Sequence, residues 1–171
     1  MVEGSATNMA GERVALSVDR GLFMMAFGRD VDFHDTHPQS IYLDRQTGNI
    51  VWLYGTDDDA YMEAGISADE NREGCKAIAA EPDRYLEIPG LDHDDHHRIL
   101  KRFLRSDWTR DEERRRRAED AYTGSIGRWK RDVRDEDAVD AFYDFRDAQV
   151  VMMAEQFLLE HGIDPIWKSP G

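Results

Sequence analysis

The clearest pattern in the chain is near its end. From Ala138 to His161 it reads AVDAFYDFRDAQVVMMAEQFLLEH, closed by Gly162-Ile-Asp-Pro165. At about 100° per residue, Val139, Phe142, Phe145, Met152, Met153, Phe157 and Leu159 share one arc, with Asp140, Asp144 and Asp147 opposite. This predicts a long amphipathic helix, apolar almost all round after Ala148 and so buried on most sides. Arg146 breaks the pattern, falling inside the apolar arc. An isolated buried guanidinium costs many kcal/mol, so a carboxylate is expected against it, with Asp44 or Glu87 as candidates.

Other stretches carry shorter signals. Ser40 to Tyr54 holds two β-branched and aromatic runs around Arg45-Gln-Thr-Gly48, a hairpin with Gly48 placed for positive φ and Asp44 placed to bond the turn amides. Tyr85 to Ile88, between Pro82 and Pro89, reads as a third strand. Ser17 is expected to cap a helix burying Leu22, Phe23, Ala26 and Phe27, ended by Gly28. Ser67-Ala-Asp-Glu70 is a capping box opening a helix through Cys75, Ile78 and Ala79, and Pro82 stops it. Asp92 opens a helix to Leu104. Thr109-Arg-Asp-Glu112 reads as a second capping box, with Gly124 ending the helix behind it, and Ile126 to Val133 adds a short helix. Residues 1–12 read as a disordered tail and 13–171 as a single domain. The fold class is α+β: a small three-stranded antiparallel sheet packed by five or six helices, with the long C-terminal helix central.

Charge changes the picture in two ways. The 171 residues carry a formal net charge of −14, which repels nucleic acid and anionic lipid at long range. It is unevenly spread. Residues 98–134 hold 13 Lys and Arg against 7 Asp and Glu, a balance of +6, while the rest, with 9 against 29, stands at −20. The basic part is expected to fold against the acidic part. Cys75 is the only cysteine, so no internal disulfide and no thiolate cluster forms within one chain. The longest early apolar run, Gly21 to Gly28, is too short to span a membrane, and a cytoplasmic protein is expected.

Four groups of residues bear on chemistry. His93 and His97 are one turn apart and have the spacing to share a metal with His34 or a nearby carboxylate; His37 and His96 lie beside them in sequence. The plainer account is adopted, that of solvated imidazoles at an acidic helix start, so no metal and no cofactor is expected. Arg114 to Arg117 point in four directions on a helix, which favours ion pairs with Glu112, Glu113, Glu119 and Asp120 over a phosphate clamp. Gly124 to Arg131 interleaves glycine, base and aromatic, offering Arg128, Trp129 and Lys130 to an anion or base. The competing account makes Trp129 core. Arg146 is either an internal ion pair or an anion anchor. No nucleophile elbow, P-loop, Rossmann fingerprint or metalloprotease helix is present, and no catalytic residue is assigned.

Taken together, four stretches resemble one family. Tyr42-Leu-Asp-Arg-Gln-Thr-Gly48, Tyr85-Leu-Glu-Ile-Pro89, Gly124 to Lys130, and Phe142-Tyr-Asp-Phe-Arg146 with Gly162-Ile-Asp-Pro165 are similar, in order and spacing, to the bacterial uncharacterised protein family numbered 0158 in the UPF series. The resemblance covers roughly residues 15 to 166. It implies a single intracellular α+β domain, gives no activity to carry over, and puts weight on Arg128, Trp129, Tyr143 and Arg146. Gly127 stands where the family usually has arginine, and the histidine-rich segment is particular to this chain. The expected function is therefore a small cytoplasmic, non-enzymatic binding or adaptor protein, with an anion- or ligand-binding set of Arg128, Trp129, Lys130, Tyr143 and Arg146. Its partner is another protein or a second copy, with no nucleic acid and no membrane. A nucleic-acid binder using Arg98 to Arg134 and a metal-dependent hydrolase are the alternatives.

Overall fold

The structure is a computed structural model describing residues 13–31, 39–54 and 67–169. His34, His37, the N-terminal tail and the acidic stretch from Thr56 to Gly65 lie outside the described residues. The fold is α+β, with six helices and five strands among the described residues: β1 Val14–Asp19, α1 Arg20–Phe27, β2 Gln39–Asp44, β3 Ile50–Tyr54, α2 Ala68–Ala80, β4 Tyr85–Glu87, α3 His93–Leu104, α4 Glu112–Asp120, α5 Ile126–Asp132, α6 Glu136–Glu160 and β5 Ile163–Lys168. None of these helices is long and apolar enough to cross a membrane. The chain forms two compact units, one of residues 1–90 with 154–171 and one of residues 91–153.

The first unit holds both sheets. The hairpin expected from the sequence forms, with β4 on the other side of β2, in the antiparallel order β3-β2-β4. Ile41 and Leu43 point inward and are fully buried. Asp44 closes the turn: its carboxylate accepts the Gln46 amide at 2.9 Å, and Arg84 Nε and Nη2 at 2.9 and 2.8 Å. Gly48 takes φ 79°. A Cβ there would stand 1.9 Å from the Ser17 carbonyl, so glycine is required by conformation and by space. Asn71, buried on α2, donates to the Tyr54 carbonyl and accepts from the Tyr54 amide, both at 3.0 Å, and so continues the β3 ladder with a side chain.

A second sheet was not expected. β1 and β5 run parallel from Val14↔Ile163 to Asp19↔Lys168. Ser17 is thus in a strand, and the cap of α1 is Asp19, which accepts the Leu22 amide at 2.9 Å. The reason is a period of two: Leu16 and Val18 are buried and alternate with Ala15, Ser17 and Asp19. Phe23, Ala26 and Phe27 are buried as expected, whereas Leu22 is exposed. Phe23 and Phe27 meet Trp167 and Phe157 at ring separations of 5.8 and 5.6 Å.

The second unit is helical. Asp92 caps α3 through a reciprocal capping box with Asp95. The cap of α4 is Asp111, not Thr109: its carboxylate accepts the amides of Glu113 and Arg114, while the Thr109 hydroxyl accepts the Asp111 amide. A carboxylate two residues nearer the helix outcompetes the hydroxyl, and it suits the positive end of the helix dipole. α4 ends at Asp120 with Ala121 as its cap. Gly124, at φ 101°, lies in the loop that leads to Ser125, the cap of α5.

The long helix α6 begins two residues before Ala138 and reaches Glu160. Ala138, Phe142, Val150, Ala154 and Leu158 form its buried line, at steps of four, with Asp140, Asp144 and Asp147 exposed. The helix is not apolar-buried all round after Ala148, because Met152 is 63% exposed. Arg146 does occupy the missing step of that line, half-buried, with Asp147 Oδ1 3.6 Å from its Nη1. Of the two carboxylates expected against it, Asp44 or Glu87, Asp44 is committed to Arg84 instead.

Candidate functional site

The corner between α5 and α6 is built outward from an aromatic cluster. Trp129 is fully buried and its indole N–H donates to the Ala118 carbonyl at 2.9 Å. Phe103 and Phe142 meet it edge-on at 6.1 and 5.4 Å; Trp108 stacks on Phe103, and Phe145 meets Phe103 edge-on. Offset and edge contacts of this kind each add about 1 kcal/mol beyond area burial. They fix the phase of a helix only two turns long. With Trp129 inward, Arg128 is exposed and Lys130 half-exposed.

Between the two helices the chain turns on Arg134, at φ 49° the only non-glycine with positive φ among the described residues. An L side chain in this conformation costs about 1 kcal/mol. Asp135 follows and carries two tasks. Its Oδ1 accepts the Ala138 amide at 3.2 Å, opening α6. Its two oxygens also receive Arg114 Nε and Nη2 at 2.9 and 2.8 Å. That fork of Arg114 holds the Asp135 carboxyl below the usual carboxylate range. The within-helix ion pairs expected for Arg114 and Arg115 are replaced by reaches to Asp135 and to Asp107 outside α4.

The result is an open depression of about 540 Å³ lined by Lys130, Arg131, Arg134, Asp135, Glu136, Val139 and Asp140. Asp135 is already paired with Arg114, so the lining offers three further cationic side chains, two carboxylates, Glu136 and Asp140, and one apolar residue, Val139. Lys130 Nζ also stands over the Tyr143 ring, 4.7 Å from its centroid, a cation–π contact between α5 and α6.

Of the five residues picked from the sequence, the structure brings Lys130 and Tyr143 together and puts Lys130 in the depression. Arg128 lies outside the lining, and Arg146 sits further along α6. Trp129 has no face to offer a nucleobase, because its ring is enclosed on all sides. Arg131, Arg134, Asp135, Glu136 and Asp140 were missed. The signal for the junction was present: Asp135 followed three residues later by Ala138, with Glu136 and Asp137 in the first turn, is an N-cap pattern.

His93 and His97 form a separate group on the second unit. The His93 and His97 rings lie 4.1 Å apart, centroid to centroid, and the Tyr122 hydroxyl is hydrogen-bonded to His97 Nδ1. Burial, and then the neighbouring His93, push the His97 imidazole below its ordinary value, and burial pushes the Tyr122 phenol up. Among the described residues no three His, Cys, Asp or Glu side chains converge as a metal cage. Comparison with family models, with curated proteins and with solved structures returns no match for this chain.

Proposed function

We propose that this protein is a small cytoplasmic, non-enzymatic adaptor of the bacterial family its motifs resemble, and that it seats a protein partner at the α5–α6 corner. One observation carries the reading: a single depression whose lining holds Lys130, Arg131 and Arg134 together with Glu136, Asp140 and the apolar Val139. A seat lined by both signs of charge selects a partner segment that also carries both signs. Polypeptide does so readily, whereas a polyanion would meet Glu136 and Asp140 with repulsion. The strained backbone at Arg134 supports the same reading, since such conformations concentrate where a surface has been shaped for a purpose. The net charge of −14 and the enclosed Trp129 weigh against nucleic acid.

The test is quantitative co-purification from the native host, comparing wild type with Lys130→Glu plus Arg134→Glu and with Arg128→Glu. The proposal expects partners kept by wild type and by Arg128→Glu to be lost at least tenfold from the double variant. Equal recovery from all three would sink it. Sedimentation of the purified protein over a range of salt separates a foreign partner from a second copy of the chain.

A further inference from the structure

We propose that His93 and His97 form a two-imidazole site for a borderline divalent transition metal (Cu²⁺, Ni²⁺ or Zn²⁺), with Tyr122 as the residue that orients His97. This site is distinct from the α5–α6 seat and does not depend on it. The two histidines are four residues apart on α3, so their side chains leave the same face of the helix. Their rings stand side by side, centroids 4.1 Å apart and planes inclined by 53°. Two nitrogens bound side by side to one ion, each at about 2.1 Å, stand roughly 3 Å apart. Rings at this separation reach that spacing by small side-chain rotations, with no backbone movement.

Tyr122 supplies what a pair of surface histidines lacks. Its hydroxyl is hydrogen-bonded to His97 Nδ1 and its ring leans on the imidazole at 5.8 Å. When His97 Nδ1–H donates to that oxygen, Nε2 is the unprotonated nitrogen and carries the lone pair an ion would take. This is the arrangement in which an outer partner fixes the tautomer and the direction of a metal-binding histidine. Both ligands are reachable, His93 being exposed and His97 half-exposed. Asp94 adds attraction for a cation, while Lys101 and His96 oppose it. Two imidazoles without a carboxylate cage select nitrogen-loving ions over calcium or magnesium, and water completes the coordination.

The experiment is calorimetric titration of untagged, chelator-stripped protein with Cu²⁺, Ni²⁺ and Zn²⁺ salts near neutral pH, alongside the visible spectrum of the copper complex. The expected result is one saturable ion per chain. His93→Ala and His97→Ala each weaken binding at least tenfold. Tyr122→Phe weakens it about tenfold and shifts the copper band, a change that loss of packing alone would not produce. His161→Ala leaves binding unchanged. Because His93 is exposed at the first position of its helix, its substitution leaves the fold intact, as circular dichroism would verify. The absence of saturable binding to wild type, or binding unchanged in His93→Ala, overturns the proposal.

Discussion

Replacing Asp44 by Asn tests the anchoring of the first unit. Asp44 is 5% exposed; its carboxylate receives a two-pronged contact from Arg84 and also accepts the Gln46 amide. Hydrogen bonds from Arg84, outweighing the cost of burial, hold its carboxyl at about 2, against an ordinary value of 3.8. At about 1.4 kcal/mol per unit, that shift amounts to about 2.5 kcal/mol of stability. The folded-state value is depressed. The contribution is therefore fully present above pH 4 and is lost as pH falls from about 4 to about 2. Asn keeps the shape and one acceptor but not the charge. The expected loss near neutral pH is about 2 kcal/mol, below the 3–5 kcal/mol typical of a broken, fully enclosed pair, because Arg84 retains solvent contact. Amide hydrogen exchange read separately on the β2–β3 strands from pH 7 to pH 2 measures it. Wild type should lose protection between pH 4 and pH 2, and the variant should start lower and change little. A variant within about 0.5 kcal/mol of wild type, with the same acid slope, would refute the claim that this carboxylate anchors the turn.

Three further outcomes follow from the geometry. Arg134→Gly removes the strain of positive φ and should raise stability by about 1 kcal/mol in thermal melting while lowering partner recovery, a separation that a purely structural arginine would not give. Trp129→Phe leaves the Ala118 carbonyl without its indole donor and a gap among Phe103 and Phe142, so a loss of about 2–3 kcal/mol is expected in urea unfolding followed by circular dichroism. Asn71→Ala strips both groups of Tyr54 of their partner. It should cost about 2 kcal/mol, with faster exchange at the Tyr54 amide as its local signature.

The hairpin was legible because everything that makes it is local: two strand runs, Gly48 for the turn, Asp44 for its amides. The β1–β5 pair was not, although Leu16 and Val18 alternate correctly for a strand. Its partner lies at the other end of the chain, in residues read only as the stop of the last helix, and a short run beside a helical pattern does not announce a distant neighbour. The caps at Thr109 and Asp111 show a different limit. Two competent residues stood two apart, and geometry chose between them. The apolar arc read for α6 shares only Phe142 with the observed buried line of Ala138, Phe142, Val150, Ala154 and Leu158. A period of 3.6 over a helix with apolar residues on several sides does not say which side is covered. Asp44 is taken by Arg84, which sequence does not rank above Arg146. At the candidate site, Lys130 and Tyr143 were both singled out, whereas the left-handed turn at Arg134 leaves no mark in residue type. Trp129 was offered both as core and as stacking platform; the indole bond to Ala118 decides for core.

The most direct test of the account is hydrogen-exchange footprinting of the protein with its co-purified partner, peptide by peptide, against the free protein. Added protection is predicted across residues 126–140, diminished by Lys130→Glu plus Arg134→Glu. Protection confined to residues 112–120 of α4 or to β1 and β5, with residues 126–140 unchanged, would contradict it.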